Sequence, residues 1–398
     1  MFLFSCSNKS RTWIQTQELW AIDAQEYKRF GGELSISGDY LVTGAPNDNF
    51  KGTLAGAAYV YTRTKKGWEH QSKLTASDGS GYDNFGSSVS ISGDFIAIGS
   101  PWSSSKTESG GAVYIYHYDD NRWREQSILS PEGNITNDHF GTGVSLDRDR
   151  LLISAPGVDM NFGNEGAAYI YLLKEDEWVL EATLSPEDLS FNDEFGNSVH
   201  LFGDLAIIGV SSHDENERNS GAAYIFQHNE TGWIQTEKLT ASDPKIMDYF
   251  GEEVAISPKY AVVGVPYKDS SKEQTGAAYI FKHEEEGWRE IQKLTLADAN
   301  EEDYFGNSLA LEDNYLFISC PGADTDEMED VGAVYVFSNI ENEWVQTQKI
   351  MLNNAEEGDV FGGRLSITNH TAVISSFWKD NKEYSIINAG ALYIFELK

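Results

Sequence analysis

Phe85-Gly86-Ser87-Ser88-Val89-Ser90-Ile91-Ser92-Gly93-Asp94-Phe95-Ile96-Ala97-Ile98-Gly99-Ser100-Pro101 is the stretch that decides the fold. Val89 to Ser92 alternates apolar and polar residues, which is the period of a half-buried strand. Gly93-Asp94 makes a two-residue hairpin, since Gly accepts the positive φ such turns demand. Phe95 to Ile98 returns as a second strand and ends at Gly99-Ser100-Pro101. A polar loop leads to a third strand over Ala112–Tyr116, and a charged turn leads to a fourth that opens at Trp123 and runs to Leu129. Four short strands with no helical period read as one blade of a propeller.

The same unit recurs through the whole chain. Phe-Gly pairs begin at Phe30, Phe85, Phe140, Phe195, Phe250, Phe305 and Phe361, five steps of 55 residues and one of 56. Trp13, Trp68, Trp123, Trp178, Trp233, Trp288 and Trp344 keep the same step, as do the seven glycines from Gly56 to Gly390 that precede the third strands. Three markers in phase predict an all-β, seven-bladed β-propeller with four-stranded antiparallel blades. The chain is out of phase with its blades. A lone fourth strand, Trp13–Leu19, comes first and a third strand, Leu392–Phe395, comes last, so the first strand is expected to complete the last blade and close the ring. Residues 13–398 form the propeller in this reading and residues 1–12 a tail. Pro258 stands where other units have the hairpin Gly, which calls for a different turn there.

Phe-Gly followed by Gly44-Ala45-Pro46 and Gly56-Ala57-Ala58-Tyr59 resembles the FG-GAP repeats of integrin α-subunit propellers. The chain is more similar still to bacterial FG-GAP repeat proteins, whose Lys-Leu-Thr-Ala-Ser-Asp phrase stands here at Lys73–Asp78 and Lys238–Asp243. The resemblance covers residues 13 to 398 and implies the fold, not an activity. Integrin-type repeats often hold calcium in a loop between their first and second strands. Here that connection is only Gly38-Asp39, Gly93-Asp94 or Gly203-Asp204, too short to wrap a six- to eight-coordinate ion.

The formal charge is −34, with 29 basic and 63 acidic residues, which excludes nucleic acid and direct adsorption to anionic lipid. Two cysteines provide no disulfide framework. Cys320 occupies a Gly-Ala-Pro alanine position and is expected to be small and buried. Cys6 ends an apolar stub, Leu3-Phe4-Ser5-Cys6, that resembles the end of a lipoprotein signal peptide, making it the candidate lipidation site.

Acidic residues recur before each Phe-Gly. Asp83, Asp138, Asp193, Asp248, Asp303 and Asp359 lie two residues before the Phe, and Asp23, Asp78, Asp188, Asp243 and Asp298 lie seven before it. Their repetition favours a structural role in capping loop amides. The alternative makes Asp78, Asp83, Asp243 and Asp248 cation ligands, and calcium is the one cofactor that would follow from it.

Ligand-binding candidates are the departures from the repeat. After each Gly-Ala-Pro-type segment the next residue varies, and Trp102, Tyr267 and Trp378 place aromatics in polar loops. Lys28-Arg29 interrupts the acidic positions and offers a seat for an anionic group. No nucleophile elbow, phosphate loop or metal-ligand spacing appears, so no catalytic residue is assigned, although His139 and His213 fall in loops of the same face. The expected function is non-catalytic recognition of a glycan or protein, by a monomeric, extracytoplasmic protein that is lipid-anchored at a surface or secreted. A polysaccharide lyase or hydrolase and a structural scaffold are the alternatives.

Overall fold

The computed structural model describes residues 11–104, 109–131, 136–160, 163–214, 217–270 and 272–398. Seven four-stranded antiparallel sheets follow one another along the chain, each ordered from first to fourth strand. Blade 1 comprises Leu34–Ser37, Tyr40–Ala45, Ala57–Thr64 and Gly67–Leu74, and blade 2 repeats it from Ser88 to Leu129. Blade 7 takes Leu365–Thr368, Thr371–Ser376 and Ala391–Leu397 from the end of the chain and Trp13–Leu19 as its outer strand. The N-terminal strand therefore closes the ring, as expected. At the junction the Thr12 and Lys398 backbones exchange two hydrogen bonds of 3.0 Å. Gln348 of blade 6 brackets the Trp13 backbone, accepting from its N–H at 2.9 Å and donating to its carbonyl at 2.8 Å. Gln17 and Gln292 do the same to Trp68 and Trp344, so the seam uses the device found between ordinary neighbours.

The core lies between blades. Val42, Ala58 and Val60 of blade 1 pack in one cluster with Ile96, Ile98 and Tyr114 of blade 2. Every Phe of the Phe-Gly pairs is fully buried, Phe85 lying edge-on to Tyr114 at 5.2 Å. Burying such a ring is worth roughly 1.5–3 kcal/mol. The repeated Gly before the third strand has a steric cause. Gly56 has φ +86° and bridges Phe85 of the next blade, and a Cβ on Gly56 would fall 2.0 Å from the Phe85 carbonyl oxygen.

Inner strands of adjacent blades are joined by side chains. The hydroxyls of Ser35, Ser90 and Ser145 accept from the amides of Ile91, Leu146 and Leu201, and His200 Nδ1 accepts from Ile256 N. The third strand of blade 2 runs to Asp119, three residues beyond its apolar alternation, because polar rim residues still pair with the outer strand past a bulge at Ile115/Tyr116. At Pro258, Ser257 closes the turn, its amide donating to Tyr260 O at 2.7 Å and its hydroxyl accepting from Tyr260 N. Cys320 is buried, with its thiol donating to Asp303 O.

Candidate functional site

The loops leading into each blade and those joining its second and third strands share one face. Tyr82 N, in the loop leading into blade 2, donates to Thr53 O in the second-to-third loop of blade 1, and Met247 N and Arg218 O repeat the contact further round. Both loop types are held by repeated aspartates. Asp83, Asp193, Asp248, Asp303 and Asp359 each accept the amide three residues earlier, at 2.6–2.8 Å. Asp159, Asp214 and Asp269 each accept an amide five residues later in the second-to-third loop. These carboxylates build the platform, as a capping role requires.

The aspartates seven before the Phe form a second device. Asp23 accepts the Tyr59 hydroxyl at 2.7 Å and lies 2.7 Å from Lys73 Nζ. Burial would raise its pKa, but hydrogen bonds from Lys73 and Tyr59 and the charge of Lys28 hold it down at about 2. Asp188 with Tyr224 and Lys238, and Asp243 with Tyr279 and Lys293, repeat the arrangement. Of the four suggested cation ligands, Asp243 and Asp248 are thus engaged by lysines, Asp248 by Lys268 at 2.5 Å. Asp78 accepts from Tyr114 and Asp83 from the Ser80 amide. Among the described residues no group of three or more His, Cys, Asp or Glu is placed to hold a metal ion.

Lys28 lies inside the protein rather than on the loop surface. It is 1% exposed, and its Nζ lies 2.7 Å from Asp48 Oδ2 and 3.4 Å from Asp23. From sequence alone a lysine among loop residues reads as solvated, and the carboxylate that buries this one lies twenty residues on, beyond a hairpin. Arg29 is half-buried with its guanidinium over the Phe377 ring at 5.4 Å. His213 is likewise inside, 2.7 Å from Asp193 and 3.0 Å from Lys238.

The three aromatics differ in setting. Trp102 is 48% exposed and contacts His139 at 4.2 Å, while Tyr267 is 37% exposed between Tyr249 and Tyr304. Trp378 is half-buried against Phe377. They stand in blades 2, 5 and 7, and none lines the central channel or the seam cavity. The sequence singles out three positions, but the structure does not gather them into one cleft. Cys6 lies outside the described residues.

Sequence reasoning missed both of these cavities. The central channel, about 850 Å³, is walled by the seven inner strands. At its loop-face end Arg364 Nε donates to Glu33 Oε1 at 2.5 Å, and Glu253 faces the same charges. Burial pushes the Glu253 carboxyl up to about 8, with Arg364 opposing and Glu33 and Glu252 adding to the rise. In other blades this repeat position holds Ser88, Gly143, Ser198 or Ser308, so comparing units at three residues past the Phe would have exposed the charged trio. The seam cavity, about 790 Å³, lies between blade 7 and the loop leading into blade 1.

Comparison with known structures finds a likeness to the periplasmic gluconolactonase PpgL of Pseudomonas aeruginosa, with a TM-score of 0.51 and 13% identity over 82% of this chain and 87% of that one. At that identity the likeness concerns the fold alone. Comparison with curated proteins finds no match. The FG-GAP repeat profile matches seven times, at residues 13–61, 68–116, 123–171, 178–226, 233–281, 288–337 and 344–395. Each match starts on the repeated Trp and runs through a Phe-Gly pair to the third strand, and together they span the seven blades: the chain belongs to the FG-GAP repeat family.

Proposed function

We propose that this propeller is a non-catalytic binding module that recognises a glycan or protein through its loop face. It acts outside the cytoplasm, at a cell surface through an acylated Cys6 or as a secreted monomer. One observation carries this reading: large apolar side chains left exposed concentrate on the loop face. Phe50, Tyr82, Trp102, Phe191, Tyr267 and Tyr384 all belong to loops of that face, at positions whose residue changes from blade to blade. Exposed apolar groups on a hydrogen-bonded platform are the usual signature of an interaction surface.

Masking the face tests this. In a Cys6→Ser background, Phe50→Cys and Tyr82→Cys carrying a polyethylene glycol maleimide should abolish binding to cells or to a glycan array. The same label at Asp94→Cys, in a hairpin of the opposite face, should leave it intact. Blocking by the second label alone would overturn the assignment.

A second reading, a polysaccharide-active enzyme, draws on Glu253. A carboxyl that stays protonated near neutral pH at a channel mouth has the proton a general acid needs. Release of reducing ends or unsaturated sugars, lost in Glu253→Gln, would replace the binding reading with this one.

A further inference from the structure

The seam cavity lies at blade 7, which lacks an ion-pair lock that both its neighbours, blades 1 and 6, carry; blades 2 and 3 also lack it, with Ile128 and Thr183 at the lysine position. In blades 1, 4 and 5 a lysine five residues after the repeated Trp reaches the aspartate of the lead-in loop, and the third-strand tyrosine donates to the same carboxylate. Blade 6 keeps the ion pair, Lys349 with Asp298 at 3.8 Å. In blade 7 the register puts Glu18 in the lysine position and Asn354 in the aspartate position. Among the described residues no ion pair then draws the outer strand to the loop. Lys379 takes the Asn354 carbonyl at 3.2 Å, and Tyr393, counterpart of Tyr59, is buried with no partner for its hydroxyl among the described residues. The second-to-third loop is also longest here. It spans 377–390, against 46–56 in blade 1, and folds into a small hairpin through two Asn381–Ile386 backbone bonds of 2.8 and 2.9 Å.

We propose that this seam pocket binds a saccharide of neutral or amino-substituted rings, which rests on the loop-face reading above and names the ligand class of one part of that face. Its volume falls in the ~300–1,000 Å³ range of small-ligand sites. Trp20 and Tyr384 belong to the lining, Tyr384 being 68% exposed at the hairpin, and aromatic rings stack on the C–H faces of sugar rings. Glu18, Asp380 and Glu383 supply acceptors for hydroxyl or ammonium donors. The two lysines of the lining are already neutralised, Lys379 by Asp359 at 2.6 Å and Lys382 by Glu356. An acidic sugar would therefore meet carboxylates without a cation to receive it, and its exclusion follows from the same charges.

A glycan array of neutral, amino-bearing, uronate and sialylated oligosaccharides, probed with the intact protein, supplies ligands for titration calorimetry. Neutral or amino-bearing glycans should bind and acidic ones should not. Tyr384→Ala and Glu18→Lys, the latter introducing the lysine found in blades 1, 4, 5 and 6, should each weaken binding at least tenfold without changing the melting temperature. Phe202→Ala, in a hairpin of the opposite face, should change neither. Acidic glycans as the binders, or no binder on the array, would overturn the saccharide assignment. Affinity that falls in Trp102→Ala or Tyr267→Ala but not in Tyr384→Ala would overturn the seam site while the loop-face reading stands. A bound glycan that the loop-face labels fail to displace would remove that reading as well.

Discussion

Lys28 and Asp48 form a buried ion pair of 2.7 Å at the two positions that Asp248 and Lys268 fill in blade 5 at 2.5 Å, with the charges exchanged. Asp359 and Lys379 repeat the blade 5 order at 2.6 Å in blade 7, and Asp193 with His213 is a weaker version in blade 4. The site tolerates either polarity because a neighbouring Asp, Tyr and Lys surround it in the same way, as Asp23, Tyr59 and Lys73 or as Asp243, Tyr279 and Lys293.

Removing one partner should cost far more than reversing both. Lys28→Met leaves Asp48 buried with Lys73 alone and should destabilise by about 3 kcal/mol. Lys28→Asp combined with Asp48→Lys recreates the blade 5 constellation and should recover to within about 1 kcal/mol of the parent. Denaturant unfolding of the single and double variants measures the difference. A double variant no better than the singles would refute the equivalence.

Blade 6 has the buried aspartate without the cation, since Ala323 stands where blade 5 has Lys268. Asp303 Oδ1 has no hydrogen-bond partner among the described residues, and burial, opposed by the Asn300 amide and reinforced by Asp324, lifts its pKa from 3.8 to about 6. A raised carboxyl binds its proton more tightly in the folded chain. Its contribution is therefore fully present below about pH 4 and is lost as pH rises through about 6. Asp303→Asn should stabilise at about pH 7.5 by on the order of 2 kcal/mol and do nothing at about pH 4. Equal melting shifts at both pH values would argue against it.

Two glycines at positive φ separate conformational freedom from close approach. A Cβ added to Gly38, at φ +57°, would meet nothing within 4 Å, so Gly38→Ala should cost only about 1 kcal/mol of backbone strain. Gly56→Ala must push the Phe85 backbone aside and should cost several times more, or prevent folding. Melting temperatures of the two variants decide.

Closure by Trp13–Leu19 predicts that deleting residues 1–20 uncovers the edge of Ala391–Leu397 and the face that Trp13 covers on Phe317, 4.9 Å away. The truncated chain should aggregate or melt at a markedly lower temperature. Unchanged melting would contradict a structural role for this strand.

The ring was legible because its requirements recur. Gly56 meets Phe85 backbone to backbone, and Gly111 meets Phe140 in the same way, so the same residues must return every 55 positions. The sites were not legible for the opposite reason. Lys28 looks like a surface cation because its partner Asp48 is recognised only once both are set against Asp248 and Lys268. Glu33, Glu253 and Arg364 meet at the channel through blades 1, 5 and 7, and Glu18 and Asn354 line one cavity only across the closure. The exposure of Trp102 and Tyr267 could be read from sequence because a loop position needs no distant partner.

The paired backbones of Thr12 and Lys398 have a mechanical and topological consequence. The two ends of the propeller leave the disc side by side, so joining them with a short linker and reopening the chain at the Gly203-Asp204 hairpin gives a permuted ring that keeps every blade. Force applied between Thr12 and Lys398 would peel Trp13–Leu19 from Ala391–Leu397 one hydrogen bond at a time, whereas force across a permuted opening would bypass that strand pair. The seam is thus where the molecule yields first under tension, between two blades whose outer strands are ion-paired to their lead-in loops while its own is not.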